Sequence, residues 1–209
     1  MRTDNSSGSA LAPALWPTSV QPWIRNAILV LIGTGILTLS AKVNVLTQPV
    51  PITLQTFAIM FIAAAYGRWL AVATVVAYLL EGFAGLPVFA STPPNVAGPA
   101  YFLGTTGGFL IGFIAIAYVV GWAADRGWDR SPIKLGAAMI VGDAIAFLLG
   151  FVWLAWFATL SSGATGGIGI ASTWEFGIQP FILPDLVKIA LAALALPAAW
   201  ALFDRSRLG

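Results

Sequence analysis

Two ionisable residues three positions apart, Asp185 and Lys188, stand inside the apolar run LPDLVKIALAALAL. On a helix, residues i and i+3 share a face. An unpaired charge near the centre of a bilayer costs about 2.5–3.5 kcal/mol even on the lenient insertion scale. The spacing therefore predicts an ion pair turned inward, away from lipid. A carboxylate accepts from N–H groups and an ammonium donates to a carbonyl or carboxylate, so the pair suits a polar, uncharged or zwitterionic solute. The competing reading is an ion pair that only fixes helix packing.

The rest of the chain is short of reactive groups. It has no cysteine and no histidine, which removes disulfides, thiol chemistry, thiolate or imidazole metal sites and any histidine acid, base or switch. Its three lysines, Lys42, Lys134 and Lys188, do not follow a glycine, so no phosphate-binding GxxxxGK[ST] loop exists. No catalytic residue, cofactor site, metal site or nucleic-acid partner is expected, and no second group is spaced to activate a carboxylate or hydroxyl. Asp143, in the fifth apolar segment, reads either as a proton-coupling acid or as a packing polar group. Glu81 reads as pocket-shaping or solvated, and Glu175 as a solvated loop charge.

The elements that must position the pair belong to a membrane. Hydrophobic residues make up 59% of the 209 and charged residues 9%, far from the mix of a water-soluble domain. Residues 1–23, polar and broken by Pro13, Pro17 and Pro22, read as a flexible cytoplasmic tail. Residues 24–209 form one membrane domain with apolar segments at about 24–45, 52–66, 69–85, 105–124, 132–160 and 183–203. This predicts an all-α membrane protein of six transmembrane helices. The second and third segments are short for a bilayer and predict tilted spans or a cavity lined by non-helical backbone. Pro49 and Pro51 bracket the entry to the second, with Pro51 in its first turn and the helix beginning near Ile52.

Cation placement predicts the orientation. With the N-terminus inside, Arg2, Arg25, Arg68, Arg126, Arg130, Lys134, Arg205 and Arg207 all fall on the cytoplasmic side, and both termini are cytoplasmic. Lys42 then snorkels to the outer interface. Two long connections face outward, at about 86–104 and 161–182, and carry Phe89, Tyr101, Trp174 and Phe176. Loops this long usually carry function, and these read as lids over a pocket floored by Asp185 and Lys188. Gly104, Gly108 and Gly112 form a small-residue seam for helix packing.

Four strings in order, PVPITLQTF from Pro49, GLPVFA from Gly85, YFLGTTGGFLIGF from Tyr101 and PFILPDLVK from Pro180, resemble the BioY family, the biotin-specific S component of energy-coupling factor (ECF) transporters. The resemblance covers about residues 25–203. It implies an S-component fold in a bacterial-type cell (inner) membrane. It also implies high-affinity biotin capture from outside and assembly with a transmembrane coupling protein and a pair of ABC ATPase subunits, and leaves room for a homo-oligomer. The family's Asp-x-x-Lys signature falls on Asp185 and Lys188, which would hold the ureido ring, with Gln55, Ser91, Tyr101 and Thr106 as further polar contacts and Phe89 and Phe109 as apolar walls. Where the family reads GPTGGY this chain has Gly104 to Phe109 as GTTGGF. No cation lies between residues 86 and 104, so the ligand carboxylate would rest on neutral donors, Lys42 or Lys188. The coupling protein would dock on Gly33, Thr34, Thr38 and Ala41 of the first helix. The alternative is a self-sufficient secondary transporter, proton-coupled or facilitative.

Overall fold

A computed structural model describes residues 11–14, 20–45, 48–94 and 97–208. Arg2, the side chains of Arg205 and Arg207 and most of the expected tail lie outside what is described. Of that tail, Leu11–Ala14 forms a short helix, α1, which packs on a later helix (Gln55–Tyr66) with Leu11 buried in the core. Helix α2 spans Pro22–Lys42, with Pro22 in its first turn where a missing N–H costs nothing. An antiparallel ribbon of β1 (Asn44–Val45) and β2 (Ile52–Thr53) follows, with Asn44 opposite Thr53. Then come α3 (Gln55–Tyr66), α4 (Arg68–Phe83), α5 (Pro99–Leu103), α6 (Gly107–Ala124) and α7 (Pro132–Trp156). The last stretch is one helical run: α8 (Ile170–Ser172), a π-helical turn (Thr173–Ile178) and α9 (Gln179–Leu208).

Four of these runs, Pro22–Lys42, Gly107–Ala124, Pro132–Trp156 and Ile170–Ala201, are long and apolar enough to cross a membrane. Helices α3 and α4 are shorter, at 12 and 16 residues, and turn into one another through Gly67, whose φ of 77° suits a residue without a Cβ. The chain is thus a mostly helical, multi-pass membrane protein. Large apolar side chains on the outer faces, among them Leu31, Leu39, Leu148, Leu183 and Leu194, are exposed, as a lipid-facing surface requires.

Helix α6 is the centre of the packing and touches α3, α4 and α7. Without a hydrophobic drive between helices in lipid, close backbone approach supplies the contact. Gly112 makes it possible: a Cβ there would sit 2.6 Å from the Ala146 Cα of α7. Gly108 lies equally close to Trp153 and the Leu149 carbonyl. Gly108 and Gly112 thus form a seam between α6 and α7, whereas Gly104 lies before α6 beside the Tyr101 carbonyl.

Several expectations change. The second helix starts at Gln55, because Ile52 and Thr53 are drawn into the ribbon and Pro51 remains outside the helix. The second outer connection ends at Gly169, since residues 170–182 are helical. Pro180 and Pro184 lack the N–H groups that would close α-helical bonds to Phe176 and Pro180. The helix nonetheless runs on through both, with a π-helical turn at Thr173–Ile178 just before Pro180. Gly33, Thr34 and Ala41 are buried, Gly33 against Thr74 and Tyr66. They pack the bundle and do not offer a docking face.

Candidate functional site

Asp185 and Lys188 lie on the inner face of α9, in step with Phe181, Ile189, Ala192, Ala193 and Leu196, while Leu183, Leu186, Val187 and Leu191 of the same helix are exposed. The expected pair forms: Lys188 Nζ donates to Asp185 Oδ1 at 2.5 Å, with both side chains largely buried. Thr56, in the first turn of α3, closes a triangle. Its hydroxyl donates to Asp185 Oδ1 at 3.1 Å and accepts from Lys188 Nζ at 3.2 Å. Desolvating two charges is offset only where such extra hydrogen bonds satisfy them. The triangle leaves Asp185 Oδ2 and one ammonium N–H uncommitted by these contacts.

These groups floor a cavity lined mainly by apolar and aromatic side chains with a few convergent polar groups, the make-up usual for small-ligand sites. Its walls are largely aromatic. Phe89 stacks on Tyr101 at 4.7 Å and meets Tyr78 edge-on at 5.4 Å, while Phe109, Phe147 and Phe181 form a second cluster with centroids 6.3–6.4 Å apart. Each wall rests on a glycine: the Phe89 ring fills the space beside Gly82, and the Phe109 ring that beside Gly150. A methyl group at either position would displace the ring.

Of the eight residues expected at the site, seven line this cavity: Asp185, Lys188, Gln55, Tyr101, Thr106, Phe89 and Phe109. Ser91 lies instead in a wider outer vestibule that shares Pro51, Tyr101 and Thr106 with the cavity and adds Thr105, Thr159, Ser161 and Ser162. No cation is among the lining residues of that vestibule. Gln55 is partly committed within the fold, since its Nε2 donates to Tyr78 Oη at 2.8 Å and its Oε1 accepts from Thr53 at 3.2 Å. Tyr78 passes the contact on to the Val88 carbonyl at 3.0 Å. Tyr101 donates to the Ala90 carbonyl at 2.9 Å. Burial pushes its phenol above the ordinary value, so the group stays neutral at physiological pH.

Lys42 does not snorkel. Its ammonium donates to the carbonyls of Pro87, Phe89 and Thr92, at 2.7, 2.7 and 2.5 Å, and clamps the first outer connection over the cavity. This use of its donors withdraws it as a carboxylate partner. The apolar environment of an extended loop explains the arrangement: carbonyls that no helix or strand satisfies need donors, and one ammonium supplies three.

Of the lining residues that the sequence reading did not place at the site, Thr56 and Asp143 bear most on its chemistry. Thr56 follows Gln55 and lies 129 positions from Asp185, a contact that no local pattern encodes. Asp143 is the other. Assigned between proton coupling and packing near the cytoplasmic side of its helix, it lines the same cavity as Asp185 and Lys188. Its isolation in an apolar helix was the available signal.

Comparison with known proteins agrees on one family. The BioY family model matches residues 9–205. The biotin transporter BioY of Thermotoga maritima is 33% identical over 82% of this chain and 93% of its own length. The "Probable biotin transporter BioY" of Pyrococcus horikoshii is 31% identical over 81% of this chain and 93% of its own. The fold is shared with a crystal structure of the S-component for biotin from an ECF-type ABC transporter, at a TM-score of 0.72 and 20% identity, covering 88% of this chain and 95% of that one.

Proposed function

The chain belongs to the BioY family, and on that premise we propose that it is the membrane subunit that captures biotin for uptake, energised by an ECF coupling protein and its ATPases. The observation that carries this reading is the triangle of Asp185, Lys188 and Thr56 at the floor of an aromatic cavity. A urea ring offers two N–H donors and one carbonyl acceptor. Asp185 Oδ2 would take an N–H, and the remaining Lys188 N–H would meet the carbonyl. The Phe89 and Phe109 clusters supply apolar walls for the thioether ring and chain, with Gln55 and Tyr101 beside them. The valerate carboxylate would reach the hydroxyls of the vestibule, where Ser91, Thr105, Thr106 and Ser161 lie. In this reading α3 and α4 also cross the bilayer as short, tilted spans. That makes six transmembrane helices in a bacterial-type inner membrane, with both termini cytoplasmic and the vestibule outside.

Calorimetry on the purified full chain tests the capture step: saturable biotin binding is expected, and its absence refutes the reading. Vesicles test the energy source. The chain has no phosphate loop, so alone it should bind biotin without ATP-driven accumulation, and adding the coupling protein and ATPases should confer accumulation. Uptake by the lone chain driven by an imposed pH gradient would instead establish the self-sufficient carrier. Single cysteines at the exposed Leu86 and at Gly166 should react from outside and at Arg68 and Gly127 from the cytoplasm; reversed accessibility would overturn the orientation.

A further inference from the structure

One cavity acid has no hydrogen-bond partner among the described residues. Asp143, on α7, is 7% exposed and lines the cavity together with Asp185 and Lys188. No hydrogen bond from a described residue reaches its carboxyl group, and its oxygens are not sealed from the cavity. It lies within electrostatic reach of both members of the ion pair. Burying a carboxyl without a partner is costly. A position that tolerates the cost, in a cavity and beside a pair already balanced in charge, holds acceptor capacity for something that enters.

What enters is set by what the triangle leaves over. Asp185 Oδ1 already accepts from Lys188 and Thr56, so that carboxylate retains Oδ2. Lys188 has used two of its three donors on Asp185 and Thr56. One acceptor and one donor suit half of a cyclic urea, an N–H and the carbonyl, and leave the second N–H without a partner. Asp143 supplies the missing acceptor.

We propose that Asp143 accepts the second ureido N–H of biotin, so that two carboxyl groups and one ammonium read the urea as donor, acceptor and donor. The inference rests on the biotin reading above and deepens it. It also gives the cavity a direction. With two acids and one ammonium at the floor, a ligand carboxylate entering first meets no surplus of positive charge, whereas a urea finds all three of its polar groups matched. The ring goes in and the carboxylate stays at the vestibule.

The test pairs each N–H with its acceptor. Dissociation constants of the purified full chain are measured for biotin and for its two mono-N-methyl ureido isomers, in wild type, Asp143→Asn and Asp143→Ala. Each methyl group removes one donor. Wild type should bind both isomers at least about tenfold more weakly than biotin, the loss expected for a hydrogen bond to a charged group. Asp143→Ala should weaken biotin by a similar factor and abolish the penalty for one isomer only; Asp143→Asn, which keeps an acceptor oxygen, should retain most of that penalty. Near-normal biotin affinity in both variants, or unchanged penalties for both isomers, would overturn the inference. If Asp143→Ala does not fold, the wild type still decides: an isomer that binds as well as biotin has an N–H that no acceptor needs, and the inference fails. Wild-type chain that binds no biotin at all would sink the biotin reading itself and this inference with it, whereas wild-type binding with unaffected Asp143 variants sinks this inference alone.

Discussion

Helix α9 carries buried polar contacts near both of its ends, and they are built differently. Near one end, Asp185 and Lys188 join Thr56 and face a cavity with hydrogen-bonding capacity left over. Near the other, Trp200 Nε1 donates to Asp129, which lies in the connection between α6 and α7, and the Arg130 guanidinium stacks over the Trp200 ring at 4.2 Å. Asp129 is as buried as Asp185, at 2% and 3% exposed. The difference lies in closure. The Asp129 contacts tie α9 to the opposite connection and line no part of the cavity, whereas the Asp185 contacts stop short and leave room for a guest. Burial alone therefore does not distinguish the two acids; the unused valence and the adjoining space do.

Asp185→Asn is the hardest blow to that distinction. The amide keeps the shape and an acceptor oxygen but removes the charge from every contact at the floor, and biotin affinity should fall by about 1.5–3 kcal/mol, the range for a hydrogen bond to a charged group. The neighbouring Lys188 is left buried without its counter-charge, which itself destabilises, so thermal unfolding must be followed alongside calorimetry. A folded variant with near-normal affinity would make this end of α9 a scaffold like the other.

Trp200→Phe probes the closed end. It strands the buried Asp129 carboxylate without its indole donor and should lower stability by about 1–3 kcal/mol, with biotin affinity within about twofold of wild type because the residue does not line the cavity. A large loss of affinity at unchanged stability would show that the two ends are coupled through α9.

What the sequence disclosed follows the same division. Asp185 and Lys188 were legible because their spacing is local and their helix otherwise apolar, and the helical spans were legible because hydropathy is local too. Thr56, 129 residues from its partner, and the carbonyls clamped by Lys42, 45 to 50 residues away, were not. Threonine and lysine at those positions satisfy no periodic pattern; only the folded bundle gives them partners. Residues 161–182 read as one outer connection, yet 170–182 are helical, with a π-helical turn at Thr173–Ile178 that no local pattern encodes.

Lys42→Met sharpens the comparison at the mouth of the cavity. The methionine keeps the apolar stem but removes the donor from three carbonyls of the first outer connection. Amide exchange at Val88 and Thr92 should accelerate by about tenfold, as expected from losing part of a charge-assisted network. Biotin should dissociate faster with a smaller change in association. Exchange at Ile168 and Gly169, whose N–H groups bond to the α7 carbonyls of Leu154 and Ala155 independently of Lys42, should not move. Equal acceleration in both connections would mean that Lys42 stabilises the whole outer end and not one lid.

The smallest expected effect concerns pH at the closed end. Burial holds the Asp129 carboxyl above its ordinary value, against the opposing pull of the Trp200 hydrogen bond and the Arg130 charge. A raised value in the folded chain means that the folded state keeps its proton where the unfolded state has lost it. The contribution to stability is therefore fully present below the unfolded value and is lost as pH rises through the folded one. Asp129→Asn cannot titrate but can still accept from the indole. Its unfolding temperature should lack this loss, so that wild type falls relative to the variant as pH is raised above the ordinary carboxylate value. Biotin affinity should be the same in both chains throughout. Parallel melting profiles would show that Asp129 is charged at no net cost in the fold, with Trp200 and Arg130 offsetting its burial completely, and the closed end would then be even more fully compensated than its contacts indicate.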